Sequence, residues 1–199
     1  YATLRGFLAS KPEESISVYA LFDNEEVGSN TKQGAMSTFL KDVLHRINNG
    51  LGKTEEEYYQ AIAKTFLVSC DNAHALHPKT DAVNYVTMNG GIVIKESANQ
   101  KYTTDAFSRA LFTGVCQNVN VPVQSFANRS DSVGGSTLGN LSNTQVSIHA
   151  VDFGLAQLAM HSCFETAGVK DTEYAIIALK EFYETNVQID EAESVCLEK

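Results

Sequence analysis

Asp23, Glu25 and Glu26 crowd into "YALFDNEEVGSNTKQGA" (19–35), behind an apolar run and just ahead of Gly28. Carboxylates that close repel one another unless a cation holds them or water surrounds them, so the stretch is either a solvated turn or a cation site. Adjacent glutamates in a turn can aim one carboxylate at a metal and leave the other to take a proton from water, which is the division of labour of metal-assisted hydrolysis. Glu26 would be the ligand and Glu25 the base. A second cluster, "SCDNAHALHPKTD" (69–81), places Asp71, His74 and His77 within seven residues, enough for a metal site, the competing reading being histidines that line a loop. In "DFGLAQLAMHSCFE" (152–165) His161 falls at helical spacing among Leu158, Met160 and Phe164, where a core histidine competes with a ligand. His149 and His45 read as structural. "RSDSVGGSTLGN" (129–140) is a glycine-rich loop without the lysine of a phosphate-binding loop, so a loop that lets backbone approach a substrate suits it better.

Those clusters need elements to hold them. "YATLRGFLAS" has helical spacing and stops at Lys11-Pro12, and "SISVYALF" (15–22) reads as a buried strand. After the acidic turn, a cap at Ser29 or Asn30 and apolar positions at Met36, Phe39, Leu40, Val43 and Leu44 predict a helix ending at Asn48-Asn49-Gly50. A helix over 55–66, strands in 65–70 and 86–97, a helix over 104–119, strands in 121–127 and 144–154, and a helix from about 155 to 185 follow. This alternation predicts an α/β fold, a sheet flanked by helices on both faces. Three polar clusters, 23–29, 70–78 and 128–139, fall where strands end, the place where open α/β sheets gather their sites. The tail "DEAESVCLEK" reads as a frayed end.

Composition narrows the function. The chain has 199 residues, 43% of them hydrophobic, room for a substantial core. With a net charge of −9 and no Lys/Arg cluster, nucleic acid and anionic membranes are not expected partners, and an anionic substrate needs a local cation. No apolar run approaches the roughly 20 residues of a spanning helix. Cys70, Cys116, Cys163 and Cys196 form no C-x-x-C and read as reduced thiols of a cytosol-like compartment. The sequons at Asn128 and Asn140 carry no meaning without secretion. No signal peptide is recognisable, and the absence of an initiator Met leads us to expect an internal piece of a longer protein.

Five blocks, "LFDNEEVGS", "SCDNAHALHP", "GGIVIKESANQKYTTDA", "RSDSVGGSTLG" and "DFGLAQLAMHSCFET", resemble in order and spacing the aspartyl aminopeptidases, zinc exopeptidases of the cytosol or vacuole with two co-catalytic metals. The resemblance runs over nearly the whole chain. It implies a zinc-exopeptidase-like mixed sheet, with Glu25 as general base, Glu26 and His161 as ligands of one zinc and Asp71 as a ligand of the other. It places His74, His77 and Lys95 in the substrate pocket, with Lys95 meeting an acidic substrate side chain, and Tyr102 and the Gly134-Gly135-Ser136 loop near the substrate. It further implies a large homo-oligomer, a dodecamer in the family, acting on peptides.

One departure stands beside the match. In the family another histidine and a bridging aspartate lie upstream of the acidic turn, and the first 18 residues here contain no His and no Asp. The resemblance therefore implies that residues 1–199 are the C-terminal part of the catalytic domain, without the inserted dimerisation domain, and that a companion chain would have to carry the missing ligands. The expected function is removal of N-terminal, acidic residues from peptides. The alternatives are a related glutamyl or general two-metal aminopeptidase, and a non-catalytic assembly subunit.

Overall fold

A computed structural model describes residues 1–79, 84–128, 131, 134–191 and 194–198. In chain order it contains α1 (Ala2–Ala9), α2 (Phe39–Gly50), α3 (Glu55–Ala63), β1 (Phe66–Cys70), β2 (Ala73–His74), β3 (Ile92–Glu96), α4 (Ala106–Asn118), β4 (Val123–Ala127), α5 (Leu138–Ser142), β5 (His149–Gly154), β6 (Ala156–Leu158), β7 (Thr166–Ala167), α6 (Val169–Glu184), β8 (Asn186–Glu191) and β9 (Ser194–Glu198).

The central sheet has the order β1-β5-β3-β4. β5 runs parallel to β1, with Phe66 opposite His149 and Cys70 opposite Phe153. It runs antiparallel to β3, which pairs in parallel with β4. The sheet is thus mixed, as expected. Alternate residues choose the face. Ile92, Ile94, Val151 and Phe153 point to α4 and α6, where Phe112, Val115, Ala178 and Leu179 are fully or almost fully buried. The opposite face carries Ser69, whose hydroxyl accepts the Gly139 N–H of α5 at 3.1 Å. Val93 on that face packs with Val86, Tyr102 and Phe126.

Local chemistry explains where the helices begin. Thr54 and Glu57 form a reciprocal capping box on α3, and Asp105 and Ser108 do the same on α4. Asp171, in the first turn of α6, is fully buried and accepts the backbone N–H groups of Asn89 at 2.6 Å and Gly91 at 2.9 Å. It ties α6 to the entry of β3. Replacing Asp171 by Ala strands two donors, so we expect a loss of about 2–4 kcal/mol, measured as the urea midpoint at unchanged m.

Four elements differ from the sequence reading. Residues 15–22 form no strand: their β propensity is met by no neighbouring edge among the described residues. α2 starts at Phe39 rather than Ser29 because Ser29 has φ 59° and its carbonyl accepts the Met36 N–H, while Gly34 lies flush against it: a Cβ there would stand 2.2 Å from Ser29 O. A chain of turns therefore fills 24–37. The helix expected from 155 begins at Val169, after β6, a turn and β7. The tail forms the hairpin β8–β9, whose Val187, Val195 and Leu197 pack on the main core. Part of the glycine-rich loop, residues 129, 130, 132 and 133, lies outside the described residues.

Candidate metal-dependent active site

The acidic turn is built by the backbone. Gly28 N–H bonds Glu25 O at 3.0 Å, Ser29 N–H bonds Asn24 O at 2.9 Å, and Asn24 itself takes φ 64°. This curl leaves Glu25 half-buried and turns Glu26 out to solvent. Glu26 Oε2 stands 3.3 Å from His161 Nε2. His161 is not on a helix: it sits in the 159–162 turn with φ 65°, exposed, its N–H bonded to Glu165 Oε1 at 2.7 Å. Asp71 follows directly on β1, its N–H bonded to Phe153 O at 3.0 Å. Gly154 lets the two chains touch: a Cβ on it would be 1.8 Å from Asp71 O.

Lys95, the last core position of β3, is 1% exposed. Its Nζ donates to Asp71 Oδ2 at 2.6 Å and to Asn72 O at 3.3 Å and lies 4.8 Å from the centre of the Tyr102 ring, a cation–π position. The open cation expected for an acidic substrate is therefore engaged in this structure: a buried ammonium needs a carboxylate beside it, and Asp71 is the one within reach.

Burial, with the negative charges of Asp71 and Glu26 adding to it, pushes the Glu25 carboxyl up to about 7, and Lys95 offsets only part of this. Such a carboxyl holds a proton more tightly folded than unfolded. The stability it gives is complete below its usual range near 4.5 and is lost as pH rises through about 7. We expect the melting temperature of zinc-free wild type to fall relative to that of Glu25→Gln between pH 5 and 8, with no further divergence above; a constant difference would refute this.

Sequence reasoning missed Asp152. It is fully buried on β5, opposite Ser69. One oxygen, Oδ2, accepts Thr103 N–H at 2.6 Å and the Thr103 hydroxyl at 2.7 Å, while Oδ1 has no hydrogen-bond partner among the described residues. Its charge is among those that raise Glu25 and Tyr102. The signal was an acidic residue inside the apolar run "IHAVDFG".

The structure thus brings together Glu25, Glu26, Asp71, Lys95, Tyr102 and His161. His74 pairs with Gln157 across β2 and β6, and His77 Nδ1 accepts the Lys79 N–H at 3.2 Å; both are exposed. Gly135 is exposed, with open space where a Cβ would go.

Zinc can be tested against these residues by distance. Two ligands about 2.0–2.1 Å from a tetrahedral zinc stand about 3.3–3.4 Å apart, and the Glu26–His161 pair is 3.3 Å apart. Carboxylate and imidazole are also zinc donors. The pair fits as half a shell, since among the described residues no group of three or more His, Cys, Asp or Glu side chains gathers closely enough to hold a metal ion.

At the strand ends of this mixed sheet stand carboxylates, a histidine and a carboxyl pushed up to about 7, donor and base types that metal-assisted hydrolysis uses. A family profile described as "Aminopeptidase I zinc metalloprotease (M18)" matches residues 1–183, and the chain belongs to that family. It is 46% identical over 187 residues to a probable M18 family aminopeptidase 2 of Clostridium novyi, covering 92% of this chain and 43% of that one. It is 42% identical over 183 residues to aspartyl aminopeptidase 1 of Schizosaccharomyces pombe, covering 90% and 38%. Among solved structures, an M18 aminopeptidase of Thermotoga maritima superposes with TM-score 0.82 at 28% identity, covering 92% and 43%. The S. cerevisiae mApe1 dodecamer superposes with TM-score 0.75 at 26% identity, also covering 92% and 43%. The chain spans less than half the length of these relatives.

Proposed function

We propose that residues 1–199 form the C-terminal part of the catalytic domain of a zinc-dependent aminopeptidase that removes N-terminal acidic residues, Asp or Glu, from peptides. The observation that carries the reading is the Glu25-Glu26 turn, which sets a carboxyl with a pKa near 7 beside a carboxylate and imidazole at the spacing of two zinc ligands.

Glu26 and His161 would hold one zinc and Asp71 would serve the second. Zinc, when bound, supplies Lewis-acid polarisation of the scissile carbonyl and lowers the pKa of water. Glu25 takes the proton from the attacking water through its side-chain oxygens and passes it to the leaving amine. Its raised pKa suits both halves of that transfer, since a general base works best near the ambient pH. Lys95 of β3, its ammonium over the Tyr102 ring, holds Asp71. His74, His77 and the Gly135 loop are assigned to the substrate side.

Acidic preference is supported by the name of the S. pombe relative, and a large homo-oligomer, a dodecamer, by the S. cerevisiae assembly. We assign the missing ligands to a companion polypeptide segment and the protein to the cytoplasm or vacuole. Among the described residues no helix is long and apolar enough to cross a membrane.

Zinc per chain and intact mass, with initial rates on Asp-, Glu- and Leu-aminoacyl-coumarins, test the proposal. Near two zincs in a sample that includes the companion segment, with Asp or Glu cleaved at least tenfold faster than Leu, is the expected result. Equal or faster Leu cleavage would make it a general aminopeptidase, and no zinc and no hydrolysis in the completed sample would make the chain an assembly subunit.

A further inference from the structure

Asp152 lies fully buried in the middle of the central sheet and takes no part in the proposed hydrolysis. Burying a carboxylate is costly unless it is paired. Among the described residues no ion pair forms on Asp152, and its Oδ1 accepts no hydrogen bond. A buried charge kept in this state points to function rather than to stability.

What Asp152 holds is the segment that leads into α4. β3 and β5 pair through Val93 opposite Gly154 and Ile94 opposite Phe153. One step further that register would set Lys95 opposite Asp152, but the ladder stops, and the Asp152 N–H goes to Thr104 Oγ1 at 2.9 Å instead. The carboxylate in turn accepts the Thr103 N–H and hydroxyl, so three bonds clamp two consecutive threonines where the strands part. Nothing competes with the clamp: among the described residues, 101–104 make no main-chain to main-chain hydrogen bond. Gly139 of α5 lies over it, since a Cβ there would stand 2.7 Å from Ser69 Cβ and 3.2 Å from Thr103 Oγ1. The bonds are thereby shielded from water, which strengthens them. Tyr102 comes immediately before the clamp. Its buried ring packs with Val86, Val93 and Phe126 and lies 4.8 Å from Lys95 Nζ. Apolar contact is non-directional, whereas hydrogen bonds to the adjacent residue fix how far along the pocket the ring sits.

We infer that Asp152 is a positioning residue: through the two threonines it sets the Tyr102 ring against the Lys95 ammonium and so orients the Asp71 carboxylate that serves the second zinc. The last link is the bond from Lys95 Nζ to Asp71 Oδ2 at 2.6 Å. The zinc part of the inference rests on the catalytic reading, and the link from Asp152 to Lys95 does not. Groups that hold a metal ligand in place through its partners change metal affinity by about 10–100-fold.

The test reads the ε-methylene protons of Lys95 by NMR in the zinc-free 199-residue chain, where the face of Tyr102 shifts them upfield of the exposed lysines. Asp152→Ala should move this signal most of the way to the exposed-lysine position. Asp152→Asn keeps an oxygen for both Thr103 bonds and should retain the upfield shift. Thr103→Val removes only the hydroxyl bond and should lose part of the shift, which keeps the test open if Asp152→Ala does not fold. Asp171→Ala, which strands two donors at the other end of β3, should leave the signal in place and so separates positioning from a general loss of stability. In the completed sample, chelator titration should show one of two zincs weakened at least tenfold by Asp152→Ala and neither by Asp152→Asn. The inference is overturned by an unchanged Lys95 signal in both Asp152→Ala and Thr103→Val, by its equal loss in Asp171→Ala, or by Asp152→Ala weakening both zincs alike or neither. Wild type that binds no zinc and hydrolyses nothing in the completed sample would overturn the catalytic reading instead, and the Lys95 signal then decides the link from Asp152 by itself.

Discussion

Glu25→Gln is expected to lower kcat of the completed, zinc-loaded enzyme by about 10²–10⁴ while KM and zinc content change little. The amide keeps the shape of the side chain and its place in the turn closed by the Gly28 and Ser29 N–H groups, so the proposed ligands Glu26 and His161 stay where they are. What disappears is the carboxyl that exchanges a proton near pH 7. Glu26→Gln makes the contrast: it removes a proposed ligand, and zinc content and rate should fall together. Equal rates for wild type and Glu25→Gln at saturating substrate would remove Glu25 from the mechanism. Parallel loss of zinc in both variants would make it a ligand instead.

Gly154→Ala is expected to be the most damaging small substitution. The added methyl would meet Asp71 O at 1.8 Å and the Asn72 Cα at 2.6 Å, both backbone atoms between two paired strands that cannot step aside. Overpacking of that kind costs about 3 kcal/mol or more, or a fall in Tm of about 6–12 °C for a chain of this size. The displaced atoms belong to the residue that Lys95 holds, so slower amide exchange in β1 would be lost along with stability. Gly135→Ala, with nothing within 4 Å, is the control and should stay within about 0.5 kcal/mol. A stable Gly154→Ala protein would show that β5 and the 71–72 segment separate more easily than their packing implies.

Much of this was legible beforehand because it is local. The strand–helix alternation, with strands within 65–70, 86–97 and 121–127 and a helix within 104–119, follows from propensity and period over a few residues. What escaped depends on distant partners. Residues 15–22 have the composition of a buried strand, yet pairing is decided by a neighbouring edge, and among the described residues none pairs with them. His161 has apolar neighbours at helical spacing, but the antiparallel pairing of β6 with β7 claims the flanking residues and leaves it in a turn at positive φ. Asp152 looks like an accident in an apolar run until Thr103 and Thr104, 49 and 48 residues earlier, are found against it. The Lys95–Asp71 contact likewise joins residues 24 apart in the chain and exists only once the fold has formed.

The order of the central sheet also bears on how the chain comes into being. β5, residues 149–154, lies between β1 and β3, which are made some 80 and 55 residues sooner. As the polypeptide leaves the ribosome, β1 and β3 emerge as apolar strands whose common neighbour has not been synthesised. Loop closure of that span is slow compared with local helix formation, and unpaired apolar edges are what chaperones bind and aggregates recruit. A nascent chain halted between residues 100 and 145 is therefore the form most in need of protection, and translational pausing there would be more harmful than pausing after Gly154.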